Sequence, residues 1–377
     1  MSAPTLASIP STHGKAPAVG TPGIIIGVDT HKHAHVAVAL NELGVSLGAC
    51  RAAATTDGYR ALLTWAHALG PLRAFAVEGT GSYGAGLASF LRRHAVQTVE
   101  VSGVDRRKRR RDGKDDTLDA EAAARGFLAG TASAVPKAAD GLAEMIRQLK
   151  VARDTAVKAR AAAIITLKTL LVNAPPELRE ELEPMTDAPL LARCARLGTP
   201  ALDSPAASVR HALRALARRC RYLSAEIATH DAALDQLTAA AVPTLRAAFG
   251  IGPDVAAEMV IVAGDNPERI RSEAAFAKLC GVCPIPASSG MTNRHRLFRG
   301  GHRQANAAIH RVAMVRRRWH APTMTYVARR TAEGLTKRDI LRCLKRFVAR
   351  EIYRALLSDF RARVTANGVP EVRTAYS

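Results

Sequence analysis

The chain has 377 residues, of which 48% are hydrophobic and only 4% aromatic, so two or three domains with aliphatic cores are expected. Its 54 lysines and arginines outnumber 33 acidic residues, giving a formal net charge of +21. That charge favours polyanionic partners such as nucleic acids, although a proteome rich in arginine would produce part of the same excess. Without a signal peptide or a membrane-length apolar run, a cytoplasmic, nucleoid-associated protein with no membrane partner is expected.

Six cysteines are present, but their spacing does not suggest a disulfide framework. The pair Cys280 and Cys283 forms a lone CxxC, whereas a zinc ribbon needs a second pair at suitable spacing. We therefore expect reduced thiols at Cys50, Cys194, Cys220, Cys280, Cys283 and Cys343.

The first predicted domain, residues 23–135, follows a Pro/Ala/Ser-rich tail at 1–22 that is expected to be disordered. Apolar runs predict three successive strands, and helices then alternate with two further strands. The strands are placed at 23–29, 35–41, 45–51, 73–78 and 97–102, and the helices at 57–69 and 83–94. This order predicts a mixed α/β sheet of the RNase-H-like kind.

Four acidic residues in this domain are candidates for a metal site. Asp29 and Glu78 each end a predicted strand, while Asp116 and Asp119 lie three residues apart at the start of a helical pattern and so share one face. Four clustered carboxylates repel one another unless a divalent cation neutralises them. Mg²⁺ is bound by carboxylates and phosphate oxygens, and two such ions can support phosphoryl displacement. Each acid alone could instead cap a turn or a helix.

A run of basic residues precedes the Asp116/Asp119 pair. Such runs are usually solvated, but this one lies beside the predicted metal site, which favours contact with a phosphate backbone. The candidate contacts are Arg106, Arg107, Lys108, Arg109, Arg110, Arg111 and Lys114.

The second predicted domain, residues 136–240, is helical, with helices at 139–172 and 205–240. On the second helix, apolar positions recur with alternating spacings of four and three residues, which is the pattern of a heptad seam. The seam comprises Val209, Leu213, Leu216, Cys220, Leu223, Ile227, His230, Leu234 and Leu237. Two arrangements remain open, an antiparallel hairpin within the chain and a coiled-coil stalk between chains.

The third predicted domain, residues 241–360, is mainly helical and is followed by a tail at 361–377. A glycine turn at 249–256 opens a helix, either as a phosphate-contacting hairpin or as an ordinary packing joint. A segment of small residues follows and contains Ser288, Ser289 and Gly290. Further basic residues predicted to contact nucleic acid are Arg294, Arg296, Arg299, Arg303, Lys337, Arg338, Lys345 and Arg346.

Five motifs, in this order, carry a resemblance: GVDTHKHAHVAVAL, AVEGTGSYG, KDDTLDAEAAAR, PIPASSG and GGHRQANAAIHRVAM. Together they resemble the IS110 family of insertion-sequence transposases, over residues 23 to about 358. The resemblance implies a RuvC-like domain with a DEDD carboxylate set and a C-terminal transposase domain with a catalytic serine. It also implies a bridge RNA that pairs with donor and target DNA, and dimers that pair into a tetramer.

Carried over by motif, the metal-binding catalytic acids are Asp29, Glu78, Asp116 and Asp119. Ser289 matches the serine nucleophile, with Ser288 as the alternative. The resemblance implies a 5′-phosphoserine link to DNA, formed at a composite site. His295 and His302 lie near in sequence, but no Ser-His-Asp spacing is visible, so activation of the serine by metal is expected. The segment 297–301 departs from the family pattern, which leaves the role of Arg299 open.

Parts of the sequence are also compatible with three other functions. An actin-like ATPase or sugar kinase shares the first hairpin, but it needs downstream glycine-rich phosphate loops that the chain lacks. A plain RNase-H-like junction nuclease would use the carboxylates alone. An inactive nucleic-acid-binding protein would bind without cutting.

Overall fold

In a computed structural model, residues 23–101, 115–198, 201–287 and 295–366 are described. They fall into two compact units, Met1–Ala139 and Asp140–Ser377. Several predicted features lie outside the described residues: the tail at 1–22, the basic run at 106–111 with Lys114, and the segment holding Ser288, Ser289 and Arg294.

The first unit is built on a five-stranded sheet. Its strands are β1 (Ile24–Thr30), β2 (Ala34–Leu40), β3 (Ser46–Ala53), β4 (Leu72–Glu78) and β5 (Thr98–Val101), arranged in the order β3-β2-β1-β4-β5. β2 is antiparallel to both of its neighbours, whereas β4 is parallel to β1 and β5. The predicted mixed RNase-H-like sheet is therefore confirmed, with each strand end within two residues of its expected position.

Helices cover both faces of this sheet. They are α1 (Thr56–Ala68), α2 (Ala85–Arg93) and α3 (Asp116–Leu128). Ile26 of β1 packs in a cluster with residues of α1 and α2, while its neighbour Ile25 packs against Ala120 and Ala124 of α3. Because strand side chains alternate between faces, the odd-numbered residues of β1 face α3.

Two long helices, α4 (Leu142–Val172) and α7 (Pro205–Ala241), begin the second unit. Arg153 Nε of α4 lies 2.7 Å from Asp231 of α7, and Arg160 Nη1, seven residues later in α4, lies 3.3 Å from the hydroxyl of Ser224, seven residues earlier in α7. The two helices therefore run antiparallel. The turn between them holds α5 (Pro176–Leu182) and α6 (Asp187–Cys194).

The heptad pattern on α7 describes the packing of this hairpin. Leu213, Cys220, Ile227 and Leu234 are buried, and Leu213 shares a cluster with Leu167 of α4. The seam is thus used within the chain, which corresponds to the hairpin alternative.

The rest of the second unit is mainly helical. Its elements are α8 (Pro243–Ala247), α9 (Pro253–Ala263), α10 (Glu273–Leu279), β6 (Pro284–Pro286), β7 (His295–Leu297), α11 (Arg303–Trp319), α12 (Ala321–Ala332) and α13 (Lys337–Ala366). The base of the α4–α7 hairpin shares one hydrophobic core with these helices, since Ile146 and Leu234 cluster with Met259 and Ile352. Consequently, the helical middle and the C-terminal part are packed together.

Details of this unit refine the sequence predictions. α9, which opens after the glycine turn, is a core helix with Met259 and Val260 buried. α13 continues to Ala366, six residues past the expected domain end at 360. Within the described ranges, no helix is long and apolar enough to span a membrane. The six cysteines are free thiols, and burial raises the pKa of Cys280 to about 12.

Candidate acidic metal centre

Asp29 and Glu78 lie at the same edge of the sheet. β1 and β4 are parallel, and Val28 lies opposite Val77. Asp29 and Glu78, the residues that follow, therefore lie side by side near the carboxyl ends of the two strands. Two residues before Glu78, Ala76 clusters with Ala123 of α3, and strand alternation places Glu78 on that same side. Asp29 faces α3 for the same reason.

The first turn of α3 supplies the other two acids. The helix begins with an N-cap, in which the Asp115 side chain accepts a hydrogen bond from the Thr117 amide at 3.0 Å. Asp116 and Asp119 follow in the first turn; Asp119 is buried and Asp116 is half-buried. An acid in the first turn of a helix is stabilised by the helix dipole.

His31 lies between two of these carboxylates. Its Nε2 is 3.2 Å from Asp29 Oδ2 and 3.1 Å from Asp116 Oδ2. One ligand atom from each of the three residues lies within 4.8 Å of the others, close enough to hold one metal ion. Sequence reasoning did not select His31. The available signal was the run His-Lys-His-Ala-His at residues 31–35, two residues after Asp29, but sequence alone does not indicate which histidine reaches the acids.

The electrostatics of this edge favour a cation. Burial raises the pKa of Asp29; His31 opposes this shift, and the carboxylates of Asp119 and Asp116 add to it. A divalent cation would relieve both the burial penalty and the mutual repulsion. Oxygen ligands from several carboxylates are the set that Mg²⁺ prefers. The residues present therefore fit a divalent cation such as Mg²⁺, and Asp29, Asp116 and His31 are three whose ligand atoms lie within 4.8 Å of one another.

A glycine-rich loop, residues 79–84, follows Glu78. The Gly79 carbonyl accepts three hydrogen bonds, from the Ser82 amide at 2.9 Å, the Ser82 hydroxyl at 3.1 Å and the Gly84 amide at 3.1 Å. The Thr30 hydroxyl donates to the Glu78 carbonyl at 2.9 Å. This loop is therefore fastened to the end of β1 beside Asp29.

In the second unit, β6 and β7 form an antiparallel hairpin whose intervening residues include Ser288 and Ser289. The base of this hairpin is closely packed, because a Cβ added at Gly301 would lie 2.2 Å from the Gly281 Cα. The Asn306 amide donates to the Gly281 carbonyl at 2.7 Å, and Lys345 donates to the Asn306 side-chain oxygen. The chain just before β6 is thus held to α11 and α13, and the chain just after β7 packs against it.

Comparison with protein families gives two matches in chain order. A DEDD-type IS110 model described as a transposase matches residues 26–176, and a model described as the transposase IS116/IS110/IS902 family matches residues 242–328. The chain belongs to the IS110 family of transposases. A comparison with curated proteins gives no match.

Membership of the IS110 family makes this protein an enzyme that acts on DNA. The first family match spans the acidic edge of the sheet, and the second spans the β6–β7 hairpin. Transposition and DNA recombination follow from the family.

The basic residues predicted for the second unit of this IS110-family transposase fall into two groups, apart from Arg294, which lies outside the described residues. Five are exposed: Arg296, Arg299, Arg303, Lys337 and Arg338. Two others have partners within the chain. Arg346 lies 2.7 Å from Glu273, and Lys345 is the donor to Asn306; burial lowers the pKa of Lys345. The exposed group is the more available to phosphates.

Proposed function

We propose that this transposase cuts and rejoins DNA strands through a serine–DNA covalent intermediate, assisted by Mg²⁺ at the carboxylate edge of the sheet. The proposal rests on one observation: ligand atoms of Asp29, Asp116 and His31 lie within 4.8 Å of one another. Glu78 and Asp119 face the same edge of the sheet.

At the acidic edge, bound Mg²⁺ would supply Lewis-acid stabilisation of a phosphate oxygen. Asp29 and Asp116 are the first residues proposed to hold it, together with Glu78 and Asp119. The β1–β4 strand pairing and the N-cap of α3 fix the backbone of these four ligands before metal binds, so little reorganisation is needed.

Ser289 is proposed as the nucleophile, with Ser288 as the alternative. The serine oxygen forms a bond to phosphorus while the bond between phosphorus and the 3′ oxygen breaks, leaving a 5′-phosphoserine link and a free 3′ hydroxyl. The serine proton passes to the departing 3′ oxygen. Attack of another strand's 3′ hydroxyl reverses the step and releases the serine, so joining needs no ATP.

The partners are proposed from the family resemblance and the charge. A net charge of +21 suits donor and target DNA and a structured bridge RNA as guide. Arg296, Arg299 and Arg303 are proposed phosphate contacts in the second unit, as is the basic run at 106–111 in the first. Assembly as dimers that pair into a tetramer, and a cytoplasmic, nucleoid-associated location, are also proposed.

The test is recombination between a donor carrying the element-end junction and a target, with Mg²⁺ and RNA transcribed from the flanking non-coding end. Wild type is compared with Ser289→Ala and Ser288→Ala, and protein–DNA adducts are followed on denaturing gels. We expect adducts and joined products in wild type and in Ser288→Ala, and neither in Ser289→Ala.

Cutting that survives in both serine variants would favour the second candidate, an RNase-H-like nuclease that hydrolyses junctions with its carboxylates alone. The acidic edge is the observation that supports this candidate, since two-metal hydrolysis needs no protein nucleophile. Binding of DNA without cutting by wild type would favour an inactive binding protein instead.

A further inference from the structure

Tyr83 is the one exposed aromatic side chain among the described residues of the first unit. Its relative exposure is 58%, whereas Tyr59, Phe75 and Phe90 are exposed by 9% or less. Trp65 and Phe127 are partly buried against the cores of this unit. An exposed ring is ordinary on its own, so its position in the fold decides whether it has a role.

Tyr83 lies in the glycine-rich loop that follows Glu78. The next residue, Gly84, lies directly against the strand end, because a Cβ added there would be 2.9 Å from the Glu78 carbonyl oxygen and 3.1 Å from the Thr30 methyl carbon. The three hydrogen bonds to the Gly79 carbonyl close the turn around Tyr83. The ring is therefore presented from a rigid turn next to the carboxylates.

Other rings of this unit have partners that Tyr83 lacks among the described residues. Tyr59 stacks on His35 with ring centroids 5.6 Å apart, Phe90 contacts His94 at 4.1 Å, and Arg73 lies over Phe127 at 5.3 Å. An exposed ring on a hydrogen-bonded turn, beside the carboxylates proposed to bind a DNA phosphate, has the geometry of a stacking surface for a base.

We propose that Tyr83 stacks on an unpaired base of the DNA strand whose phosphate enters the carboxylate site. This inference rests on the proposed function, since it takes Asp29 and Glu78 to be where the phosphate binds. Aromatic side chains bind single-stranded bases through their π-faces with little sequence preference. Such a contact suits an enzyme whose target sequence can vary, because it holds the strand in register without reading the base.

The experiment uses the full-length protein and branched DNA carrying the element's end, with 2-aminopurine at successive unpaired positions. The fluorescence of this base falls when it stacks. In wild type we expect quenching at one position next to the cut phosphate. Tyr83→Phe should keep it, whereas Tyr83→Ala should lose it and bind the DNA about tenfold more weakly, as loss of one base–aromatic stack would cause.

The matched control is Tyr222→Ala, which removes another exposed tyrosine, on α7, and should leave quenching and affinity unchanged. Since Tyr83 packs against little, Tyr83→Ala should keep the wild-type melting temperature. Unchanged quenching and affinity in Tyr83→Ala would overturn the inference. So would quenching only when 2-aminopurine is placed in the RNA.

Asp29→Ala separates this inference from the proposed function. If Asp29→Ala still cuts DNA, the metal assignment fails, whatever Tyr83 does. If it stops cutting and retains the Tyr83-dependent quenching, the stacking contact and the metal site are both supported.

Discussion

Gly27 of β1 and Ala120 of α3 are in direct backbone contact. A Cβ at Gly27 would lie 1.9 Å from the Ala120 carbonyl oxygen and 2.7 Å from the Ala124 amide nitrogen. Only glycine permits this approach, because any side chain would push the helix away from the sheet. The contact sets the distance between Asp29, two residues further along β1, and the first turn of α3.

We predict that Gly27→Ala impairs DNA cutting more than it impairs folding. The added methyl should displace α3 and separate Asp116 and Asp119 from Asp29, at an overpacking cost of about 1–3 kcal/mol. Measurement of cutting rate and of the free energy of unfolding by urea checks this.

Gly126→Ala is the matched control, since it adds the same methyl group to α3 where the nearest atoms are 3.6 Å away. It should leave both cutting and stability close to wild type. Equal cutting rates in Gly27→Ala and wild type would mean that the Gly27–Ala120 contact does not determine the distance between Asp29 and the acids of α3.

Neutralising the acids one at a time should abolish strand exchange while leaving the fold intact. Asp29→Asn, Glu78→Gln and Asp119→Asn keep the side-chain size but remove the charge that holds Mg²⁺. A bound ion stabilises the folded state. Mg²⁺ should therefore raise the melting temperature of wild type, and it should raise the melting temperature of the variants by less. Asp57→Asn, at an exposed position on α1, is the control and should behave as wild type. Near-normal exchange in any of the three variants would remove that acid from the metal site.

The base of the β6–β7 hairpin should control the serine chemistry without controlling DNA affinity. Asn306→Ala removes the hydrogen bond to the Gly281 carbonyl, and Gly301→Ala introduces a contact of 2.2 Å with the Gly281 Cα. Both should reduce formation of the protein–DNA adduct about tenfold or more, because small displacements of a nucleophile are costly. Gly198→Ala, which adds a methyl group in open space, is the control. If DNA binding is lost together with formation of the protein–DNA adduct, the variants disrupt this unit in general.

A charge network at the base of the α4–α7 hairpin should make stability depend on acid pH. Lys150 Nζ lies 2.7 Å from Asp254 Oδ1 and 3.0 Å from Asp154 Oδ2. Burial would raise the pKa of Asp254, but Lys150 and two arginines outweigh it and hold the pKa below its ordinary value of 3.8. A carboxyl group with a lowered pKa in the folded state contributes stability above pH 3.8, and that contribution is lost as the pH falls through the folded-state pKa.

Asp254→Asn should therefore cost about 1–3 kcal/mol at pH 7, less than a fully buried pair because Asp254 is partly exposed and Asp154 remains. Urea unfolding at pH 7 and pH 3 measures this, and the difference from wild type should shrink at pH 3. A difference independent of pH would mean that the network does not act through the Asp254 charge.

Sequence patterns identified the sheet and its acidic ends because both depend on local periodicity. Apolar runs were enough to place Asp29 and Glu78 at strand ends, and a three-residue helical spacing was enough to place Asp116 and Asp119 on one helix face. The role of His31 could not be derived in this way, because the turn from β1 to β2 decides which histidine of the run reaches the carboxylates.

Tertiary packing also changed the interpretation of individual basic residues. Lys345 is one of the recurring basic residues on the last helix that predict contact with phosphate. In the structure, however, it donates a hydrogen bond to Asn306 at the base of the β6–β7 hairpin. Arg346 is likewise paired with Glu273. A helical pattern gives the face on which a residue lies, but it does not reveal the partner brought there by a distant part of the chain.

The α4–α7 hairpin has a separate hydrophobic core at each end. At the tip, Leu167, Leu178 and Leu213 cluster together, whereas Ile146 and Leu234 belong to the core of the base. At 1.5 Å per residue, α7 with its 37 residues is about 55 Å long. Removing one heptad from each helix between the two cores would shorten the hairpin by about 10 Å while leaving both ends packed. The length of the hairpin can thus change in whole heptads, by evolution or by design, without loss of either hydrophobic core.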